Sequence, residues 1–212
     1  MWVEHFPVGF LGCNCVILGD EESGDAIVVD PGGDHAKILA RLEALGLRCT
    51  AIIHTHTHFD HVGATGDVQN ATGAPTMLHE ADLDLYQGMQ AQLDAFGMPM
   101  RAPEAVEIDR FLRDGDTVRA GAIEADVMHT PGHTQGSLCF RVDGDRPIVL
   151  AGDTLFQGSV GRTDLWGGSM PELLTSIKKK LLVLPDETLV IAGHGPTTTI
   201  GEERVMNPFL RR

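Results

Sequence analysis

The sequence predicts a layered α/β fold, on two observations. Short apolar runs bounded by Gly, Pro and Asp recur along the chain, and such runs are typical of buried β-strands. Amphipathic helical patterns lie between these runs, and strands interspersed with helices favour an α/β arrangement in layers. The 212 residues and the hydrophobic content of 42% match the size of one domain with a substantial core. We therefore expect a single domain spanning residues 1–212.

Six apolar runs are the strand candidates. Glycine, proline and aspartate flank them, as expected where strands meet turns. The runs are Val16–Leu18, Ala26–Val29, Ala51–Ile53, Ser137–Val142, Ile148–Ala151 and Leu189–Ala192.

Two helices carry clear boundary signals. The first is predicted over Ala36–Leu45, because apolar residues recur on one face and Gly46 follows at the C-terminal end. The second is predicted from Ser169 to about Leu182, with Pro171 in the first turn and Glu172 placed to complete a capping box.

The segment from Glu80 to Arg110 is predicted as a helix followed by a loop, because glycines and prolines interrupt its later part. Its methionines and Phe96 are candidates for a mobile wall over a pocket, although ordinary packing is the commoner role of such residues.

The charge balance argues against a nucleic-acid partner. The chain has 16 basic and 30 acidic residues and a formal net charge of -14, which opposes binding to a polyanion. No apolar run approaches the roughly 20 residues that a membrane helix needs, and Met1–Phe10 lacks the pattern of a secretion signal. We expect a cytoplasmic protein with no nucleic-acid or membrane partner. The sequence leaves its oligomeric state open.

Cysteine is not expected to carry the chemistry. Cys13, Cys15, Cys49 and Cys139 show neither CxxC spacing nor the density of a disulfide framework, so reduced thiols are expected. Their apolar neighbours predict burial rather than a nucleophilic role.

The strongest chemical signal follows the predicted strand Ala51–Ile53. The chain there reads HTHTHFDH over His54–His61. Divalent metals use neutral imidazole nitrogen and carboxylate oxygen as donors, whereas burying such groups without partners is costly. Residues two apart in extended backbone point the same way. His56 and His58 can therefore bind one ion, while Asp60 and His61, after a turn, address another.

Three further candidate ligands lie at similar positions. His133 in TPGHT, Asp153 in LAGD and His194 in IAGHGP each follow an apolar run and a turn of small residues. Such turns aim side chains beyond the edge of a sheet, where binding and catalytic groups collect. Each residue alone would be an ordinary loop residue, but together with the histidine cluster they indicate a metal site.

These residues together resemble the metallo-β-lactamase superfamily. His-x-His-x-Asp-His, followed by a separate histidine, aspartate and histidine, is similar to the metal-binding pattern of that superfamily across nearly the whole chain. The resemblance implies an αββα sandwich, two facing sheets with helices outside, that binds one or two metal ions at its edge. It implies one metal held by His56, His58 and His133, a second held by Asp60, His61 and His194, and Asp153 as the bridge.

Other polar residues near these motifs have different expected roles. His54 and His129 match no ligand position of the superfamily, so packing or supporting roles are expected for them. Asp30 resembles the aspartate that supports the metal-binding histidines from outside the ligand set. Its position before Pro31 is explained equally well by a turn.

The implied site favours hydrolysis. A metal-held water has a pKa lowered to roughly 7 in zinc sites, and the resulting hydroxide can attack an ester, thioester, amide or lactone carbonyl. The candidate catalytic residues are Asp60 and Asp153, and no serine or cysteine nucleophile is required. We expect two divalent ions, with zinc first and iron or manganese as alternatives, because imidazole and carboxylate suit all three.

The segment Gly158–Asp164 indicates a substrate class. It resembles the short bacterial glyoxalase II-like branch, the hydroxyacylglutathione hydrolases, whose members end soon after a motif like Asn207–Leu210. This resemblance implies hydrolysis of a glutathione thioester such as S-lactoylglutathione. Arg162 matches a basic residue that reaches a glutathione carboxylate, and its planar fork suits that contact. An ion pair between Arg162 and Asp164 is the structural alternative.

One departure leaves the thioester open. Larger glyoxalase II enzymes carry a C-terminal helical domain that contacts glutathione, and a chain of 212 residues leaves no room for one. Glutathione recognition would then be weaker, or the acyl substrate would be a different one.

Two other functions compete with this prediction. A mononuclear iron persulfide dioxygenase acting on glutathione persulfide resembles the chain at Gly161–Asp164 and could use His56, His133 and Asp153 as its iron ligands. His194 argues against it, because this residue completes a second metal site. A hydrolase of lactones or of other thioesters shares the histidine motif. A metal-binding module without catalysis would predict a missing ligand, and none is missing.

Overall fold

The computed structural model describes residues 1–211. The chain divides into two compact units, each with its own β-sheet. The first unit comprises Met1–Leu112 and Arg119–Ile123, and the second comprises Arg113–Val118 and Glu124–Arg212. The single domain expected over residues 1–212 stays a prediction.

The first unit contains a six-stranded sheet in the order β1-β2-β3-β4-β5-β6. Neighbours from β1 to β3 are antiparallel, and those from β3 to β6 are parallel. Because parallel strands end at the same edge of a sheet, the residues that follow β3, β4 and β5 come close together. The strands are β1 (Trp2–Val8), β2 (Cys13–Gly19), β3 (Asp25–Val29), β4 (Arg48–Ile53), β5 (Thr76–Leu78) and β6 (Arg110–Phe111).

Helices cover this sheet and complete the first unit's core. Ile38 and Leu42 of the first helix pack with Ile17, Val28 and Ile52 of the strands, and burying each of these side chains contributes about 2 kcal/mol. The helices are α1 (His35–Leu45), α2 (Phe59–Val62), α3 (Thr65–Thr72), α4 (Leu83–Gln87) and α5 (Met89–Ala95), with a 3₁₀ turn at Glu80–Asp82.

The predicted elements of this unit are confirmed. Helix α1 ends at Gly46, whose φ of 66° is a left-handed conformation suited to glycine. The segment from Glu80 is predicted as one helix and then a loop; it forms a 3₁₀ turn and two short helices, α4 and α5, and then a loop that leads to β6.

The second unit contains a sheet in the order β14-β13-β10-β9-β8-β7. Strand β9 is antiparallel to both β8 and β10, and β10 is parallel to β13. Strands β8, β10 and β13 therefore run in one direction, and the loops that follow them leave from the same edge. The strands are β7 (Thr117–Ala120), β8 (Ile123–His129), β9 (Leu138–Val142), β10 (Ile148–Gly152), β13 (Leu189–Ala192) and β14 (Thr198–Thr199), with β11 (Leu155–Phe156) and β12 (Ser159–Val160) as a separate pair.

The helices of this unit are α6 (Met170–Ser176) and α7 (Ile200–Met206). A π-helical turn over Ile177–Leu181 extends α6, so the helical segment ends close to the predicted end at about Leu182. Leu173, Ile177 and Leu181 pack into the core of this unit.

The predicted capping box at Ser169 is wrong. Ser169 is the N-cap residue of α6, but its side chain makes no capping hydrogen bond. Pro171 in the first turn has no N–H, which removes one of the donors that a capping serine uses. The capping box occurs instead at α7, where Thr199 accepts from the Glu202 N–H and the Glu202 carboxylate accepts from the Thr199 N–H.

Candidate metal centre

Four candidate ligands of the first unit follow β4. This first ligand group comprises His56, His58, Asp60 and His61. The three imidazoles are 2%, 5% and 0% exposed, and the ring of His56 lies 4.8 Å from that of His58 and 4.0 Å from that of His61. Ligand atoms of His56 and His58 lie within 4.8 Å of one another, as do those of Asp60 and His61. The sequence therefore concentrates nitrogen and oxygen donors at the end of one strand.

The carboxylate of Asp30 supports the first ligand group through contacts with Thr55 and His61. Asp30 follows β3 and is 2% exposed. It accepts hydrogen bonds from the Thr55 N–H at 2.8 Å and the Thr55 hydroxyl at 2.5 Å, and lies 3.0 Å from Nδ1 of His61. A carboxylate can only accept, so His61 carries its proton on Nδ1 and directs the lone pair of Nε2 away from Asp30. Such a contact fixes the orientation and tautomer of a metal-binding histidine.

The backbone at Asp30 is strained. Its φ of 50° is unusual for a residue with a side chain. Two residues later, a Cβ added to Gly32 would collide with the backbone oxygen of Asp60, so the chain passes too close to the ligand group for any larger residue. Strained backbone of this kind persists where the surrounding structure imposes it, and it is common at functional sites.

His54 lies beside the ligand group, with its Nδ1 3.8 Å from the Asp30 carboxylate. It is 0% exposed, and burial lowers its pKa to about 4. Its Nε2 lies 3.3 Å from the Thr65 hydroxyl. His54 is therefore a neutral packed residue at neutral pH, in the role that the sequence predicts for it.

Two residues of the segment after β5 support the ligand group and were not predicted from the sequence. Gln92 is 1% exposed; its carbonyl accepts from the Phe59 N–H at 3.0 Å, and its amide donates to the backbone oxygens of Thr57 at 3.1 Å and Leu85 at 2.8 Å. The carboxylate of Asp82 accepts from the Thr57 N–H at 3.3 Å, and the backbone oxygen of Asp82 accepts from the Thr57 hydroxyl at 3.0 Å. The signal for Gln92 is a lone polar residue on the apolar face of α5.

The second unit contributes the second ligand group, which comprises His133, Asp153 and His194. One carboxylate oxygen of Asp153 lies 3.6 Å from Nε2 of His133, and the other lies 3.9 Å from Nε2 of His194. His133 lies in the loop after β8, Asp153 follows β10, and His194 follows β13. The shared direction of these three strands brings the side chains together.

A backbone carbonyl orients His133. Its Nδ1 donates to the oxygen of Arg162 at 2.8 Å, because a carbonyl oxygen can only accept. The lone pair of Nε2 is then left on the side of Asp153. A Cβ added to Gly161 would collide with the backbone oxygen of Asp153, so this loop also passes close to the ligand group.

The side chain of Arg162 forms an ion pair with Asp164. Its guanidinium donates to the two carboxylate oxygens at 2.7 and 2.9 Å, and the hydrogen bonds from Arg162 lower the pKa of Asp164 to about 2. Both side chains are exposed, at 52% and 70%. The ion pair with Asp164, which the sequence analysis gave as the structural alternative, is thus present. A contact of Arg162 with a substrate stays a prediction.

The cysteines are buried thiols, as predicted. All four are free of disulfides, and burial raises the pKa of Cys49 and of Cys139 to about 11 and that of Cys13 to about 12. Thiols of this kind are poor nucleophiles at neutral pH.

The donor chemistry of both ligand groups fits divalent cations. Imidazole nitrogen and carboxylate oxygen together suit zinc, iron and manganese. In each group a carboxylate accompanies the histidines, and the imidazoles of His61 and His133 carry their protons on the nitrogen that faces a supporting acceptor. These are the features that metal-binding histidines require.

Comparison with known proteins agrees with this arrangement. A model of the metallo-β-lactamase superfamily matches residues 8–194, a span that includes every residue of both ligand groups. The chain belongs to the metallo-β-lactamase superfamily.

Relatives in this superfamily define the activity class. Hydroxyacylglutathione hydrolase GloC of Haemophilus influenzae is 36% identical over 99% of this chain and 98% of its own length. Probable metallo-hydrolase YqgX of Bacillus subtilis is 39% identical over 98% of this chain and 96% of its own. The chain is a metal-dependent hydrolase of the superfamily, and its substrate is a small molecule.

Solved structures confirm the predicted α/β sandwich of the metallo-β-lactamase fold. The BLEG-1 B3 metallo-beta-lactamase matches with a TM-score of 0.91 and 36% identity over 100% of both chains. TTHA1623, solved in a di-iron-bound form, matches with a TM-score of 0.86 and 38% identity over 99% of this chain and 100% of its own. ETHE1 from Myxococcus xanthus matches with a TM-score of 0.78 and 30% identity over 98% and 84%.

The histidine and aspartate groups, together with the family, indicate a dinuclear metal site. Within residues 1–211, no helix is long and apolar enough to cross a membrane.

Proposed function

We propose that this protein hydrolyses a glutathione thioester, such as S-lactoylglutathione, with the help of two divalent metal ions. The relative named hydroxyacylglutathione hydrolase supports this substrate class, since the two chains match over nearly their full lengths. The thiolate released from a thioester is a good leaving group, so the reaction needs less help from a general acid than amide hydrolysis does.

The proposed ligand assignment follows the family pattern. His56, His58 and His133 would hold one ion, Asp60, His61 and His194 the second, and Asp153 would bridge the two. The family model supports this set because it spans both ligand groups. We propose zinc in both positions, with iron as the first alternative because of the di-iron form of TTHA1623.

One observation carries the dinuclear assignment. The two carboxylate oxygens of Asp153 face different histidines, at 3.6 Å from His133 and 3.9 Å from His194. A carboxylate that lies between two histidines in this way could contribute to two neighbouring metals, whereas a mononuclear site would leave His194 without a role.

When bound, two such ions supply a nucleophile derived from water near neutral pH and polarise the carbonyl under attack. The protein's own residues prepare for this. Asp30 keeps the proton of His61 on Nδ1, and the Arg162 carbonyl does the same for His133. The unprotonated Nε2 of each histidine is therefore available to bind a metal. Asp60 and Asp153, the proposed catalytic residues, offset part of the metal charge, and a net positive charge then remains to favour an anionic transition state.

Arg162 is the proposed contact for a glutathione carboxylate. Its guanidinium already binds a carboxylate through two hydrogen bonds, from Asp164, which is the geometry that a substrate carboxylate would use. Because the pair is exposed, water screens it and the exchange of one carboxylate for another costs little.

We also propose that the chain works as one domain in the cytoplasm. The four buried thiols, none of them in a disulfide, support a reducing compartment. The net charge of -14 supports a small-molecule substrate rather than a nucleic acid.

A second candidate is a persulfide dioxygenase with a single iron. The motif Gly161–Asp164 favours it, because that motif resembles both branches of the superfamily. This enzyme would use His56, His133 and Asp153 and would leave His194 without a role.

The test follows loss of thioester absorbance from S-D-lactoylglutathione with purified protein before and after chelation, and after zinc is restored. Hydrolysis that disappears with the chelator and returns with zinc supports the proposal. His194→Ala should abolish it, whereas the matched control His35→Ala, at an exposed position, should not. Oxygen consumption with glutathione persulfide, without thioester hydrolysis by the metallated protein, would favour the dioxygenase instead.

A further inference from the structure

A cavity of about 300 Å³ opens in the first unit beside the first ligand group. This size is at the lower end of the range for small-molecule pockets. It corresponds to the liquid volume of about ten water molecules. Its lining side chains include Phe10, Phe59, Asp60, Met89, Leu93 and Met100.

The walls of this cavity are apolar. Among its lining side chains in the described chain, Asp60 and Arg101 alone carry charged groups. Phe59, Met89 and Leu93 are 7%, 3% and 3% exposed and form a fixed inner wall. A hydroxyl or peptide group placed against these side chains would lose its hydrogen bonds to water and find no replacement.

The outer wall consists of exposed apolar side chains. Phe10 is 61% exposed and Met100 is 51% exposed. The ring of Phe10 stacks on that of Phe59 with centroids 6.3 Å apart, and the ring of Phe96 meets Phe59 edge-on at 5.7 Å. Exposed apolar side chains grouped around a cavity are typical of a ligand-binding surface.

Asp60 connects the cavity with the first ligand group. Its carboxylate belongs to the first ligand group, with one oxygen 3.9 Å from Nε2 of His61, and Asp60 is also one of the residues that line the cavity. A carbonyl held at the ligand group would therefore have the cavity next to it. Of the two groups attached to a thioester carbonyl, an acyl chain suits the apolar walls, whereas the amide and charged groups of glutathione would lose hydrogen bonds there.

We infer that this cavity binds the acyl chain of the substrate, and that medium-chain acyl thioesters are the preferred substrate class. The inference rests on the proposed function. Lactoyl has three carbons and a hydroxyl group, so it would fill little of the cavity and place a polar group against apolar walls.

Binding of linear carboxylates tests the inference without catalysis. Butyrate, hexanoate, octanoate and dodecanoate would each be titrated into the metal-loaded protein by isothermal titration calorimetry. From butyrate to octanoate, the Kd should fall about fourfold for each added methylene, because complete burial of one methylene contributes about 0.8 kcal/mol to binding. Dodecanoate should gain nothing further, and the heat capacity change should become more negative with chain length. A Kd independent of chain length would overturn the inference.

A variant at the outer wall tests the location. Met100→Glu places a charge at the rim of the cavity. Because Met100 is 51% exposed, the variant should fold normally, which thermal unfolding checks. Octanoate should bind at least about tenfold more weakly, and butyrate should change less than twofold. Met206→Glu, an equally charged change at a residue that is 63% exposed in the second unit, is the matched control. Equal losses in the two variants would overturn the location.

Hydrolysis of acetyl, butyryl, hexanoyl and octanoyl thioesters of glutathione separates this inference from the proposed function. A rise of kcat/KM with chain length supports both. Hydrolysis that does not depend on chain length overturns the inference alone. Length-dependent binding of the carboxylates without hydrolysis of any thioester overturns the proposed function.

Discussion

His61 donates its Nδ1 proton to the carboxylate of Asp30 across 3.0 Å, and both residues are buried. Asp30 follows β3 and His61 follows β4, and these two strands are parallel neighbours in which Val29 pairs with Ile53. The register thus places Asp30 beside the start of the segment that leads to His61 in α2. The contact links the fold of the first unit to the orientation of a proposed metal ligand.

Replacing Asp30 tests this contact. Asp30→Asn preserves size and tolerates the positive φ, but the amide nitrogen cannot accept a hydrogen bond from Thr55 or His61. We expect metal affinity to fall about 10–100-fold, measured by competition with a chromogenic chelator. Asp34→Asn is the matched control, because Asp34 also has a positive φ, of 49°, and lies outside the ligand group. Unchanged metal affinity in Asp30→Asn would show that the contact does not support the metal.

Gln92 is expected to stabilise the backbone of the ligand loop. Gln92→Ala removes the partner of the buried Phe59 N–H and of the Thr57 carbonyl, and each unsatisfied group costs about 1–3 kcal/mol. Urea unfolding should show a loss of about 2–4 kcal/mol. Gln87→Ala, at an exposed position on the preceding helix, should change stability by less than about 0.5 kcal/mol. Similar losses in both variants would contradict this role of Gln92.

The ion pair of Arg162 and Asp164 has a pH signature. Since hydrogen bonds from Arg162 hold the pKa of Asp164 at about 2, the carboxylate should stay ionised until the pH falls through that value. Carboxyl carbon shifts in an NMR titration would give the midpoint. Arg162→Gln should raise it towards the ordinary value of 3.8. A midpoint near 3.8 in the unmodified protein would mean that the pair does not persist in solution.

The thiols should be unreactive in the folded protein. Burial raises the pKa of Cys49 and Cys139 to about 11, so at pH 8 only about one thiol in a thousand is ionised. A disulfide reagent should therefore modify these residues slowly, and all four cysteines rapidly after unfolding in guanidinium. Rapid reaction of Cys139 in the native protein would contradict its burial.

The sequence predicted the parts of the fold in which local and tertiary preferences agree. Strands β2, β3, β4, β10 and β13 are nearly continuous apolar runs, and buried strands require such runs. Strand β1 was not predicted, because Glu4 and His5 interrupt its apolar pattern. Strand β5 has only three residues, Thr76–Leu78, which is too short for a periodic signal.

In the site, too, some residues could be predicted from the sequence and others could not. The ligand candidates could be found because their residue types and spacing are unusual. Gln92 could not be assigned a role, because it contacts Phe59, 33 residues away in the chain. The contact of the Arg162 carbonyl with His133 could not be predicted from the sequence either. Every residue has a backbone carbonyl, and only the folded conformation of the loop determines which one lies next to His133.

The central claim is hydrolysis of a glutathione thioester with two metal ions, and it is tested most directly by titrating metal-free protein with zinc. Bound metal and the rate of S-D-lactoylglutathione hydrolysis would be measured at each point. The account predicts that activity rises with the second equivalent, and that two ions per chain are bound at saturation. Full activity at one ion per chain would contradict it, as would no hydrolysis of any glutathione thioester, from lactoyl to octanoyl, when two ions are bound.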